Sequence, residues 1–148
     1  MLDYLSQTAL ILWIAESDWG YPIVLTLHSI GMALVVGIVF MFDLRILGLA
    51  RRIQFAAFDA FFPIAWVGFV INLMSGTMLF LANPSVFLSN TAFITKLVLL
   101  SCAAAVAFVL GRRDLENIAS RMLAAASLVL LLGAITAGRI IAYTNVPE

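Results

Sequence analysis

The chain has a single histidine, His28, placed inside the apolar run "LTLHSIGMALVVGIVFMFDLRILG" that begins at Leu25. An imidazole in such surroundings hydrogen-bonds to a neighbouring helix or ligates a metal. At a helix rise of about 1.5 Å per residue, His28 lies roughly 9 Å below a surface at Pro22, and Met74 reaches about the same depth on the next apolar run. Lys96 and Arg139 stand near the same side of the third and fourth runs. A cation inside a span costs about 2.5–3.5 kcal/mol at full depth, so Lys96 calls for an anion or water. No acidic residue is read as lying within the spans: Asp43 and Asp59 fall at one end, Asp3, Glu16 and Asp18 at the other, so either Glu16 or Asp18 reaches down to Lys96 and Arg139 or a bound anion does.

One nitrogen ligand, one thioether and two cations without an internal carboxylate match the needs of haem b, which takes an imidazole for its iron, an apolar slot and cations for its propionates. His28 is the candidate axial ligand and Met74 the candidate second ligand. Lys96 and Arg139 are the candidate propionate partners, and Gly31 and Gly76 are candidates for leaving room for the ring. The absence of a Cys-x-x-Cys-His sequence makes any such haem non-covalent. Plainer roles compete: His28 as an interhelical hydrogen-bonding residue, Met74 as core filler and Arg139 as a snorkelling cation. Met32, Met41, Met74 and Met78 also offer soft ligands, with His28, for copper. No nucleophile with a partnered base is visible, which argues against a hydrolase.

The elements that must hold these residues follow from composition. The 148 residues are 64% hydrophobic and 11% charged, which places the chain among integral membrane proteins. Zero net charge offers nothing for nucleic acid. The lone Cys102 permits no internal disulfide. Four runs are long enough to cross about 30 Å of hydrocarbon: Pro22 to Phe42, Phe61 to Leu81, Ala92 to Leu110 and Met122 to Tyr143. Leu2, Leu5, Ala9, Leu12 and Trp13 recur at helical spacing, which predicts an interfacial helix over residues 2–16. That start has no basic region and no cleavage pattern, so it is read as mature chain.

Arg45, Arg51 and Arg52 fill the first connection and Arg112, Arg113 and Arg121 the third, whereas the second holds no Lys or Arg. The positive-inside rule then puts both termini in the periplasm of a bacterial inner membrane. The expected fold is an all-α, single-domain four-transmembrane-helix bundle with an N-terminal periplasmic surface helix. Gly133 with Ala137 and Ala134 with Gly138 form small-xxx-small pairs, which suit close helix packing or a homo-oligomer. Asp43 and Arg45 are read as structural. Arg45 would favour the helix C-terminus, and Asp43 would pair with Arg51, Arg52 or a subunit neighbour.

The segments "HSIG", "DLRILGLARR", "WVGFVINLMSGTMLFLANP" and "NTAFITK" together resemble an uncharacterised family of small bacterial four-helix membrane proteins, a domain of unknown function. The similarity covers roughly Trp19 to Leu100 and marks His28, Asp43, Arg45, Gly76, Pro84 and Lys96 as the family pattern. It implies four spans and no established activity. The architecture is more loosely similar to four-helix cytochrome b and copper-resistance membrane proteins. The leading expectation is therefore a b-type haem protein that moves electrons to an unknown redox partner, or senses an oxidant, near the periplasmic face. The alternatives are a homo-oligomeric transporter or channel, a copper-handling protein and a scaffolding subunit. Against the transporter stands the lack of a carboxylate inside any predicted span. Its deepest polar residue is Asn72.

Overall fold

The structure is a computed structural model that describes residues 6–111 and 117–144. It is all-α. The helices are α1 (Ala9–Glu16), α2 (Gly20–Ile46), α3 (Phe62–Ala82), α4 (Pro84–Ser89), α5 (Thr91–Leu110) and α6 (Ile118–Thr144), and a 3-10 turn spans Phe55–Ala60. Four of them, α2, α3, α5 and α6, are long and apolar enough to cross a membrane, as the expected four-helix class requires. Pro63 sits in the first turn of α3, where a missing N–H is harmless. Asn90 caps α5, its side chain accepting from the N–H groups of Ala92 and Phe93.

Helix boundaries differ from the expected ones in ways that matter. α2 runs to Ile46 instead of ending at Phe42, so Asp43 and Arg45 are helical residues; the Asp43 carbonyl accepts from Leu47 N–H. α6 begins four residues before the expected Met122. The predicted N-terminal helix is observed as Ala9–Glu16, and residues 2–5 of that expectation, like Arg112 and Arg113, lie outside the described residues.

The chain divides into two compact units. The first takes the described residues of Met1–Val35 and Phe61–Ser89. Here α2 and α3 pair antiparallel: Val24 shares a core with Leu79, His28 meets Gly76, Gly31 meets Asn72, and Val35 meets Gly68. Their backbones approach closely at Gly31 and Gly68. A Cβ on Gly31 would stand 2.7 Å from both Asn72 N and Gly68 O, and one on Gly68 would stand 2.7 Å from Leu34 Cβ. α1 folds back over one end of this pair, burying Ile11 and Ile14 against Val24 and Leu79. The reversal passes Gly20, where a Cβ would meet Trp13 O at 2.7 Å.

The second unit takes Val36–Ala60 and the described residues of Asn90–Glu148. Its centre is an antiparallel α5–α6 pair, in which Lys96 meets Gly138, Leu99 meets Gly133, and Leu110 packs with Ala124. Ser120, Ala124, Ser127, Leu131 and Ala134 are the buried stripe of α6. Their spacing of four and three, continued by Ala137, puts them on one face of the helix. The last turns of α2 join them through Ile46. Phe42 closes the end edge-on against Phe55 and Phe58, and the Arg45 guanidinium donates to the Ile53 carbonyl and lies over the Phe55 ring.

Candidate functional site

His28 sits in the α2–α3 seam. Its Nδ1 lies 3.1 Å from the Asn72 carbonyl and 3.2 Å from Ser75 Oγ. A backbone carbonyl only accepts, so Nδ1 carries the proton in this arrangement. Ser75 Oγ is placed to accept from it, because the Ser75 hydroxyl itself donates to Ile71 O at 2.6 Å. The exchange is reciprocal: Asn72 Nδ2 donates to the His28 carbonyl at 2.9 Å. α2 and α3 are thus joined by hydrogen bonds in both directions, one turn from the glycine crossing.

The residues predicted to surround a haem are distributed differently. Gly31 faces the α3 backbone, and the space beside Gly76 holds the imidazole itself, since a Cβ there would stand 3.0 Å from His28 Cε1. Neither glycine leaves a slot for a macrocycle. Met74 points about 150° around α3 from the direction of Asn72, Ser75 and Gly76 at 100° per residue, and it is 57% exposed. It therefore cannot complete an axial pair with His28. Lys96 belongs to the second unit, its stem running over Gly138 with Nζ 3.6 Å from that residue's Cβ position. Arg139, the next residue along, is exposed. Within the first unit, His28, Gly31, Met74 and Gly76 do not form the expected haem b cradle. Among the described residues no group of three or more His, Cys, Asp or Glu side chains could hold a metal ion.

A different residue emerges in the second unit. Asp43 is 1% exposed, and its carboxyl lies beside the Ser127 hydroxyl of α6, which is equally buried. The two do not meet in hydrogen-bond geometry, and both Asp43 Oδ2 and Ser127 Oγ are buried without a partner. The expected pairing of Asp43 with Arg51 or Arg52 does not occur. Arg51 lies against Gly48, and Arg52 is exposed. The physical reason is the extra length of α2, which turns Asp43 inward toward α6 instead of releasing it into the basic loop. The sequence held a signal for this: apolar residues resume after the charge at Leu44, Ile46, Leu47 and Leu49, so Asp43 interrupts an apolar run instead of closing it.

No known protein family, curated protein or solved structure matches the chain. What the chain does must be argued from these two polar clusters.

Proposed function

We propose that the chain is an ion-handling membrane protein of the transporter or channel class. The observation that carries this reading is Asp43, a carboxyl enclosed within the last turns of a membrane-length helix with an unpartnered oxygen. Taking an ionisable group out of water without a counter-charge is expensive, and an apolar residue of similar size would stabilise the fold more. Ionisable residues kept inside spans mark ion or proton paths. Asp43, in the last turn of α2, supplies the enclosed carboxyl that a proton- or ion-coupled path needs.

The haem b and electron-transfer reading has less to support it, because the glycines meant to admit the ring are filled by helix packing and by His28 itself. His28 serves instead to lock α2 to α3. With the basic loops on the cytoplasmic side of a bacterial inner membrane, Asp43 belongs to the inner half of the bilayer.

Proteoliposomes carrying the purified chain test the proposal. An imposed proton or sodium gradient should dissipate faster than in empty vesicles, and Asp43→Asn, which keeps the shape and removes the charge, should abolish the difference while eluting normally on gel filtration. Equal flux from the variant and the native chain would overturn the reading. A Soret band in the same preparation would restore the haem alternative.

A further inference from the structure

We propose that the ion held at Asp43 is a proton, which makes the carboxyl a neutral acid hydrogen-bonded to the Ser127 hydroxyl; this rests on the reading of Asp43 as an ion site. The first argument is the supply of oxygen atoms. Hard cations such as Ca²⁺ and Mg²⁺ take six or more oxygens. Among the described residues, the side-chain oxygen placed beside the Asp43 carboxyl is the Ser127 hydroxyl, and both Asp43 Oδ2 and Ser127 Oγ are buried without a partner. The α-helical carbonyls are committed to the helix ladder, as that of Asp43 is to Leu47 N–H at 2.9 Å. The neighbouring elements contribute apolar groups: Ile46 from α2, Leu110 from α5 and Ala124 from α6, with Phe42 and Phe58 stacked at the end.

The second argument is charge. Asp43 makes no ion pair among the described residues. On its own helix, Arg45 is committed to the Ile53 carbonyl and the Phe55 ring. On the 3-10 turn, Asp59 is exposed, and on α6 so is Arg121. The seam positions Val106 and Leu110 of α5 carry no charge. An ionised carboxylate there would be a buried charge with only a neutral hydroxyl beside it and no counter-charge among the described residues, whereas a carboxylic acid is neutral and both donates and accepts. In the acid form a single O–H···O bond between the carboxyl and the Ser127 hydroxyl would satisfy both orphan atoms, Oδ2 and Oγ, without leaving a buried charge. Binding adds a proton to one carboxylate oxygen; no other bond forms or breaks.

Infrared difference spectroscopy on the full chain in lipid vesicles reads this directly. Between acidic and alkaline buffer, one of the carboxylic acid C=O bands that are lost and that shift in D₂O should be missing from the difference spectrum of Asp43→Asn. Ser127→Ala should displace the band without removing it, because the hydrogen-bond partner is lost and the acid is not. Replacing choline with sodium at fixed pH should change nothing. A band removed by sodium at fixed pH would overturn the proton assignment and leave Asp43 as a cation site. A spectrum in which neither pH nor sodium alters any band that depends on Asp43 would overturn both the assignment and the ion-handling reading.

Discussion

At the scale of single residues, His28 and Asp43 answer the same problem differently. His28 reaches its partners across the seam, so its polar atoms become part of the glue between α2 and α3. Interhelical hydrogen bonds in membranes average about 0.6 kcal/mol, with values up to about 1.7. Gly76 is what lets the ring lie there. Gly76→Val should therefore displace the imidazole, break its bond to the Asn72 carbonyl and cost about 1–2 kcal/mol. Thermal unfolding in detergent measures this, and Met74→Leu, on the exposed face, is the control expected to leave the midpoint unchanged. A Gly76→Val chain as stable as the native one would mean that the clasp contributes nothing. From the sequence, the interhelical role of His28 was accessible because a lone membrane imidazole has few options. Its partners were not, because Asn72 and Ser75 become meaningful only once the register of α3 against α2 is known. The inward turn of Asp43 is hidden for a related reason: hydropathy ends a span at the first charge, whereas the helix runs on to Ile46, where its packing ends.

At the scale of elements, each unit is built on an antiparallel helix pair that relies on small residues, but the two pairs use them differently. In α2–α3 Gly31 faces the α3 backbone, so there is no flexible side chain to yield there. Gly31→Ala should force the helices apart, with a penalty of about 1–3 kcal/mol as for other overpacked sites. In α5–α6 Gly138 faces the stem of Lys96, with a Cβ position 3.5 Å from Lys96 Cδ and Cε. That is ordinary contact, so Gly138→Ala should be nearly neutral. The pair of variants, compared by unfolding in the same detergent, separates a backbone crossing from a side-chain rest; equal losses would contradict the distinction. The sequence disclosed the four spans and the small-residue stripe of α6, since both are periodic. It concealed which glycines touch backbone, because that depends on the helix facing them.

At the scale of the whole molecule, the arrangement of charge decides from which side the Asp43 site is approached. The connection between α2 and α3 contains Arg51 and Arg52, and Arg45 stands in the last turn of α2. Between α3 and α5, the segment containing α4 has no Lys or Arg. The positive-inside rule counts just such short connections, and the proposed orientation therefore puts the α2–α3 connection in the cytoplasm and α4 on the opposite side. Gln54 and Ser85 are both exposed and mark the two connections. In a Cys102→Ser background expressed in a bacterial host, Ser85→Cys should react with an impermeant maleimide in intact spheroplasts, and Gln54→Cys only after the membrane is opened. The reversed pattern would refute the orientation and move Asp43 to the outer half of the bilayer. It would leave the enclosed carboxyl itself unchanged, because Asp43 on the final turns of α2 and Ser127 of α6 belong to one unit whichever way the chain is inserted.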